Sequence, residues 1–479
     1  MIYDRQYYFD TFKVTENGLR QLVAEGLSGG GDFCDLYFDN TSYRDILLRD
    51  GEVTSGGFHI DYGVGIRVLS GEKTGYAYSE STDIPSMMSA ARAAAAITAG
   101  CPGSADRRTS DHRHFGKPNP AADRYPMLQD WRSADFADQI PVLKKLEQSI
   151  RAKDTRVVKV IAKLSSMVTD VLMFNSFEEL KYDTRPVASL VASVVFSQNG
   201  KIENKSVSRS FKCGCEMLTD SLIEEIAGEA VKGLDECFDA RRPKGGKMPV
   251  VMGAGASGIL LHEAMGHAFE ADFNRKGQSI FSDKMGCRIC PEGVTIVDDG
   301  TIRGNRGAIN FDDEGVPGQY TTMVEDGILT SYLHDRISAK YYGVAPTGNG
   351  RRESFRYMPL PRMRATYMES GDAKAEDIIA SVKRGIYVNE FTNGQVKIGE
   401  GDFTFYVKSG SLIENGKLTM PVKDINIIGN GPQALADIQA VADDLKIDDG
   451  TWTCGKGQSV PVSCGMPTVL VKNLTVGGE

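Results

Sequence analysis

Histidine is scarce in this chain, with six among 479 residues, and tryptophan scarcer still at two. No apolar run approaches the roughly eighteen residues that a membrane-crossing helix requires, so a spanning segment is excluded and no membrane partner is expected. The N-terminal stretch Met-Ile-Tyr-Asp-Arg-Gln-Tyr-Tyr-Phe-Asp lacks a basic segment followed by an apolar core. No signal peptide is therefore expected, and a cytoplasmic address follows. Excess positive charge is missing as well. A net charge of −9 argues against nucleic-acid binding, because phosphate contacts need clustered Lys and Arg. Nine cysteines, an odd number at irregular spacing, do not form a secreted disulfide framework. Cys213-x-Cys215 and Cys287-x-x-Cys290 each lack a second ligand pair at finger-like spacing and read as reduced thiols. Low-complexity tracts and internal repeats are also absent.

What remains is the composition of a soluble globular protein, 41% apolar and 25% charged, long enough for two or three cores. Residues 14–27 carry Leu19, Leu22, Val23 and Leu27 at helical spacing and end in Ser-Gly-Gly-Gly. Strands are expected over 34–38, 45–48, 63–68 and 75–78, then an alanine-rich helix over 83–99. A loop over 101–125 holds His112 and His114, and a solvated loop is the reading preferred to a surface metal pair. A helix over 134–153, four or five strands over 157–206 and a helix near 217–234 complete the first half. The basic, Pro/Gly-containing stretch 240–247 is the linker candidate. Beyond it come short strands near 294–297, 307–311, 320–324, 385–388, 394–398, 403–407 and 412–416. Helices are expected there over 257–271, 334–341, 374–383 and 431–442. The fold class expected is α+β: an N-terminal α+β domain (1–239) with antiparallel sheet, the linker, and a mostly-β domain (248–479) carrying the helix discussed next.

That helix holds two of the histidines, in Leu260-Leu-His262-Glu263-Ala-Met-Gly266-His267-Ala-Phe-Glu270-Ala-Asp272. Imidazole nitrogens bind zinc, and a carboxylate beside a metal can take the proton of an attacking water, so the segment has the parts of a hydrolytic site. The spacing is unusual. Zinc-peptidase helices place histidines at i and i+4, whereas five steps turn ~500° and leave the rings about 140° apart. Both can reach one ion only if the helix widens or breaks, and Gly266 is a cheap place for either. By spacing alone, Glu270, three residues beyond His267, outranks any distant residue as a third ligand. Two other readings compete. One is a buried amphipathic helix with hydrogen-bonded histidines, which leaves Glu263 without a partner. The other is a dinucleotide site, since Gly253-x-Gly255-x-x-Gly258 follows a strand-like 249–252. The second strand and ribose-binding acid that such a site requires do not follow, so Ser257 is read as a helix N-cap instead.

With its other motifs, the chain resembles the TldD branch of the TldD/PmbA family of metallopeptidases, once described as modulators of DNA gyrase. The likeness runs through the segment 260–267, Asp312-Asp-Glu-Gly-Val-Pro-Gly-Gln-Tyr320, Thr347-Gly-Asn-Gly-Arg-Arg-Glu-Ser354, Cys454-Gly-Lys-Gly-Gln458 and Asn473-Leu-Thr-Val-Gly-Gly478. It implies zinc held by His262, His267 and Cys454, with Glu263 as the catalytic glutamate and Glu270 reduced to orienting a histidine. The Cys454 turn is one residue shorter than the family form. The resemblance also implies a peptide substrate and a dimer, either with a second copy or with a metal-free TldE/PmbA-like relative. The oxyanion donor stays open among Arg351, Arg352, Tyr320 and His334. Beside the peptidase reading stand a non-catalytic regulatory subunit and a dinucleotide-dependent oxidoreductase.

Overall fold

Period-two alternation along six strands organises the N-terminal half of the computed structural model, which describes residues 3–98, 123–397 and 399–478. The strands are β1 (Phe33–Arg49), β2 (Glu52–Ser70), β3 (Lys73–Ser79), β4 (Val157–Asn175), β5 (Leu180–Gln198) and β6 (Lys201–Phe211). They form one antiparallel sheet in the order β3-β2-β1-β4-β5-β6. Leu36 and Phe38 of β1 pack with Leu19, Leu22 and Met87 from the helices Glu16–Gly26 and Ile84–Thr98. Further along the same strand, Ile46 and Leu48 join Leu143, Leu146 and Ile226 from the helices Phe136–Lys153 and Asp220–Val231. The intervening residues of β1 take the opposite face. There Tyr37 packs with Val171, Met173, Phe311 and Phe355, which joins the sheet to the C-terminal half.

Charged residues reinforce that junction. Arg67 of β2 is fully buried and pairs with Asp35 and, at 2.6 Å, with Glu314; Arg185 of β5 pairs with Asp313 at 2.5 Å. Removing one member of such a set strands the others in a low-dielectric setting. Arg67→Met is therefore expected to destabilise the chain by ~3–5 kcal/mol. Urea unfolding would show it, and a change below the scatter of surface variants would contradict it.

Several expected boundaries differ. The strands expected at 34–38 and 45–48 are one strand, because the polar residues between them line the second face instead of turning. Thr41 Oγ1 bonds Asp39 Oδ1 at 2.5 Å and meets Thr169 Oγ1 at 2.9 Å. Three long strands likewise replace the four or five expected over 157–206. The loop expected at 101–125, with His112 and His114, lies outside the described residues except for its last few positions.

In the C-terminal half, β7 (Gly246–Met252) pairs in parallel with Arg384–Val396 and antiparallel with Val469–Gly477. Ile425–Asn430 and Asp402–Glu414 continue this sheet, and Asp402–Glu414 pairs back onto Arg384–Val396, so five strands close on themselves. A second sheet runs in the order Ile328–Leu329, Tyr320–Glu325, Ile296–Asp299, Ala365–Met368, Ser463–Met466, Lys446–Asp448. The α+β class stands, with the C-terminal half mostly β. Several local expectations do not hold. The strands expected from 385 and from 394 are one strand, Arg384–Val396, and those expected at 403–407 and 412–416 fall in the one strand Asp402–Glu414. The stretch 307–311 is a loop whose Gly307 lies against the Arg364 backbone, where a Cβ would meet backbone atoms at 2.6 Å. The helix expected over 431–442 stops at Ala436, and the strand Ile438–Val441 follows, paired to Val469–Gly477. The helix expected over 217–234 ends at Val231, and a separate short helix, Leu234–Asp239, follows. Among the described residues no helix is long and apolar enough to cross a membrane.

Candidate metal centre

The helix expected over 257–271 breaks where the histidine spacing demands. It spans Gly258–Ala264, Met265 leaves helical geometry at φ −136°, and a 3₁₀ turn, Gly266–Phe269, follows. Glycine suits position 266 because a Cβ there would lie 2.1 Å from Met363 Sδ, inside any tolerable contact. Ser257 occupies the N-cap position as expected, but its hydroxyl makes no capping bond and is buried without a partner. The helix packs against Ser463–Met466 and Ala365–Met368 of one sheet and Arg384–Val396 of the other. Gly258 permits this approach, since a Cβ there would stand 2.5 Å from the Gly465 nitrogen. The glycines at 253–258 thus serve close packing. β7 and its parallel neighbour are separated by more than a hundred residues, not joined by one helix as a dinucleotide fold requires.

The break turns both rings toward one spot. The His262 and His267 ring centroids are 5.3 Å apart at 80°, and Cys454 arrives on a hairpin formed by Thr453–Gly455 and Ser459–Pro461. The ligating atoms of His262, His267 and Cys454 all lie within 4.8 Å of one another. All three side chains are buried, at 1%, 4% and 1% exposure. Cys454 Sγ is 3.4 Å from His267 Nε2. Burial alone would push the thiol up, but the two imidazoles outweigh it and bring Cys454 down to about 5.

A second ring of contacts holds this arrangement. His267 Nδ1 lies 3.0 Å from Glu270 Oε2, which directs Nε2 toward the sulfur. Burial opposes charge on His267, yet the Glu270 carboxylate and Cys454 carry its pKa well above the ordinary value. Glu270 is itself completely buried. Burial would raise its carboxyl, but Lys456, His267 and Arg362 hold it at about 2. Lys456 Nζ reaches Glu270 at 2.9 Å and Asp272 at 2.6 Å. Arg362 donates to the carbonyls of Cys454 at 2.6 Å and Gln458 at 3.0 Å, clamping the hairpin from both sides of its turn. Lys456 and Arg362 escaped the sequence reading. For Lys456 a signal exists in its place two residues after Cys454; for Arg362 there is none.

The donor set can be tested for a metal on its own terms. Both ring nitrogens of His262 are buried with no hydrogen-bond partner, an arrangement that costs free energy unless another group satisfies one of them. Two imidazoles and a readily ionised thiol are zinc's characteristic ligands, and three protein donors leave a position open. Glu263, half-buried, follows His262 on the helix, and its charge adds to burial and Asp448 in raising the Cys464 thiol. The four oxyanion candidates are engaged elsewhere. Tyr320 bonds Glu369, His334 Nδ1 meets Ser338 Oγ at 3.3 Å, Arg352 bonds the Asp313 carbonyl at 3.0 Å, and Arg351 donates to Met363 and Pro461 carbonyls. Glu270→Gln should weaken zinc binding ~10–100-fold by loosening His267. Competition against a chelating dye measures this, and undiminished affinity would count against the orienting role.

Comparison with known proteins places this geometry in context. Residues 34–98 match domain 1, 129–234 the central domain and 245–478 the C-terminal domain of the PmbA/TldA metallopeptidases. A metalloprotease TldD homolog of Haemophilus influenzae is 42% identical over 453 residues, covering 93% of each chain. A zinc metalloprotease TldD homolog of Saccharolobus solfataricus is 34% identical over 258 residues, covering 53% of this chain and 57% of its own. The fold is that of a Thermotoga maritima protein described as a modulator of a DNA gyrase, with TM-score 0.77 at 23% identity over 98% of this chain and all of the other.

Proposed function

Because the chain belongs to the TldD/PmbA metallopeptidase family, we propose that it is the catalytic, zinc-bearing kind of member and hydrolyses unfolded or extended peptides in the cytoplasm. The observation that carries this reading is the convergence of His262, His267 and Cys454 in one buried spot, beside a glutamate on the same helix. His262, His267 and Cys454 would hold the ion. When bound, zinc supplies Lewis acidity that makes water a nucleophile near neutral pH and polarises a peptide carbonyl. Glu263 takes the proton from the attacking water and returns it to the departing amine. Glu270, kept ionised by Lys456 and Arg362, holds His267 in the tautomer that presents Nε2. Burial of the three donor side chains favours a substrate that enters as extended chain, since a folded surface does not present a bond at such depth. A second subunit, either another copy or a metal-free TldE/PmbA-like relative, would complete the working particle.

The test uses freshly purified, chelator-free protein, alone and with such a relative. About one zinc per chain is expected, together with peptide hydrolysis that a chelator abolishes and zinc restores. Short or unfolded peptides should be cut and folded globular proteins spared. Metal-free preparations with chelator-insensitive hydrolysis would refute the zinc assignment, and equal cutting of folded substrates would refute the substrate class.

A further inference from the structure

Beside the Cys454 hairpin lies a small cleft of about 80 Å³ between the N-terminal sheet and the C-terminal half. Val460, the cross-strand partner of Cys454, and Pro461 form part of its wall. Its lining carries five cationic side chains, Arg185, Lys212, Arg351, Arg352 and Arg364, against three carboxylates, Asp39, Asp313 and Glu353. Lys212, Arg351 and Arg364 are each more than nine-tenths buried, and among the described residues none lies within ion-pairing distance of a carboxylate. Lys212 Nζ donates to the Ala308 carbonyl at 2.6 Å and stands 5.0 Å from the Tyr125 ring centroid. Arg351 reaches only the Met363 and Pro461 carbonyls, and Arg364 Nε the Gly348 carbonyl at 2.6 Å. Arg364 Nη2 and Arg352 Nε are buried with no partner at all.

The three carboxylates lining the cleft each have another partner, and Asp312, Asp313 and Asp298 offset only part of the burial of Arg364. Asp313 is taken by Arg185 and by the Arg352 backbone nitrogen, and Glu353 accepts from the Ser459 backbone nitrogen. Asp39 bonds Thr41, and burial pushes its carboxyl up to about 7. Buried cations without counter-charge are costly, and burial first, then Arg185, Arg364 and Arg351, drives the Lys212 pKa well below that of a free lysine. An anion of suitable size would relieve that cost while making charge-assisted hydrogen bonds to Lys212, Arg351 and Arg364.

We infer that this cleft binds a carboxylate of the peptide substrate, either its free C-terminus or an acidic side chain, through Lys212, Arg351 and Arg364. The inference rests on the peptide reading above and adds to it a specificity that the metal centre does not supply. Peptide would then lie against the hairpin and be anchored there by charge.

The experiment is equilibrium binding, so it does not depend on turnover. The full-length chain carrying Glu263→Gln is titrated into four fluorescent peptides of one length, combining a free or amidated C-terminus with Asp or Asn at one internal position. At least one carboxylate should tighten binding about 10-fold or more, and the pair that responds identifies the source. Lys212→Met should erase the difference while leaving the amidated, Asn-containing peptide unaffected. The comparison among peptides needs no variant in the cleft, so a poorly folding Lys212→Met chain does not obscure the result. Equal affinity for all four peptides, no binding of any, or a preference that survives in a well-folded Lys212→Met chain would each overturn the inference. Peptide hydrolysis that proves metal-independent would instead undo the zinc reading and leave this result standing.

Discussion

Glu263→Gln is expected to lower peptide hydrolysis ~10²–10⁴-fold, the range a positioned general base contributes, while leaving zinc content unchanged. The substitution keeps shape and hydrogen-bonding capacity but removes the lone pairs that accept a proton at neutral pH. Glu263 is half-buried beside His262 and is not among the three donors that converge, so the ion has no reason to leave. Steady-state rates and elemental analysis on the same preparation check both halves of the expectation. A variant as active as the unaltered chain would favour a regulatory subunit over a peptidase. Loss of zinc along with activity would instead show that Glu263 holds the metal.

Cys454→Ala should have an effect as large on metal content. Two imidazoles alone make a weak site, and the sulfur is the donor brought lowest by its neighbours, to about 5, once burial has been outweighed. Zinc should be lost on dialysis, with an affinity loss exceeding the ~10–100-fold that follows removal of a supporting partner. Because the side chain is small and sits in a large apolar cluster, thermal unfolding of the metal-free chain should change little. Full zinc occupancy in this variant would move the third ligand elsewhere, with Glu270 the first candidate to re-examine.

Much of the centre is legible in the sequence, because it depends on local geometry. Histidines five apart cannot share an ion on a regular helix, so a break was required, and Gly266 marked its place. The i,i+3 relation of His267 and Glu270 announced their contact. Cys454 was different. Nothing in spacing links it to residue 262, and only the family resemblance singled it out. Arg362 was invisible for the same reason, since its partners are carbonyls on a hairpin about ninety residues away. In the N-terminal sheet, Asp39 and Thr41 looked like turn residues because polarity was taken for exposure. They are buried on a face that meets a second polar surface, where alternation does not sort apolar from polar.

The distance along the chain between ring and sulfur has a temporal meaning. His267 and Cys454 stand 187 positions apart, and the hairpin bearing the sulfur is followed by Val469–Gly477, the strand that pairs with β7. A growing polypeptide on the ribosome cannot bring all three side chains together until residue 454 has been synthesised. Products that stop before residue 454 therefore lack the sulfur that the proposed zinc site requires.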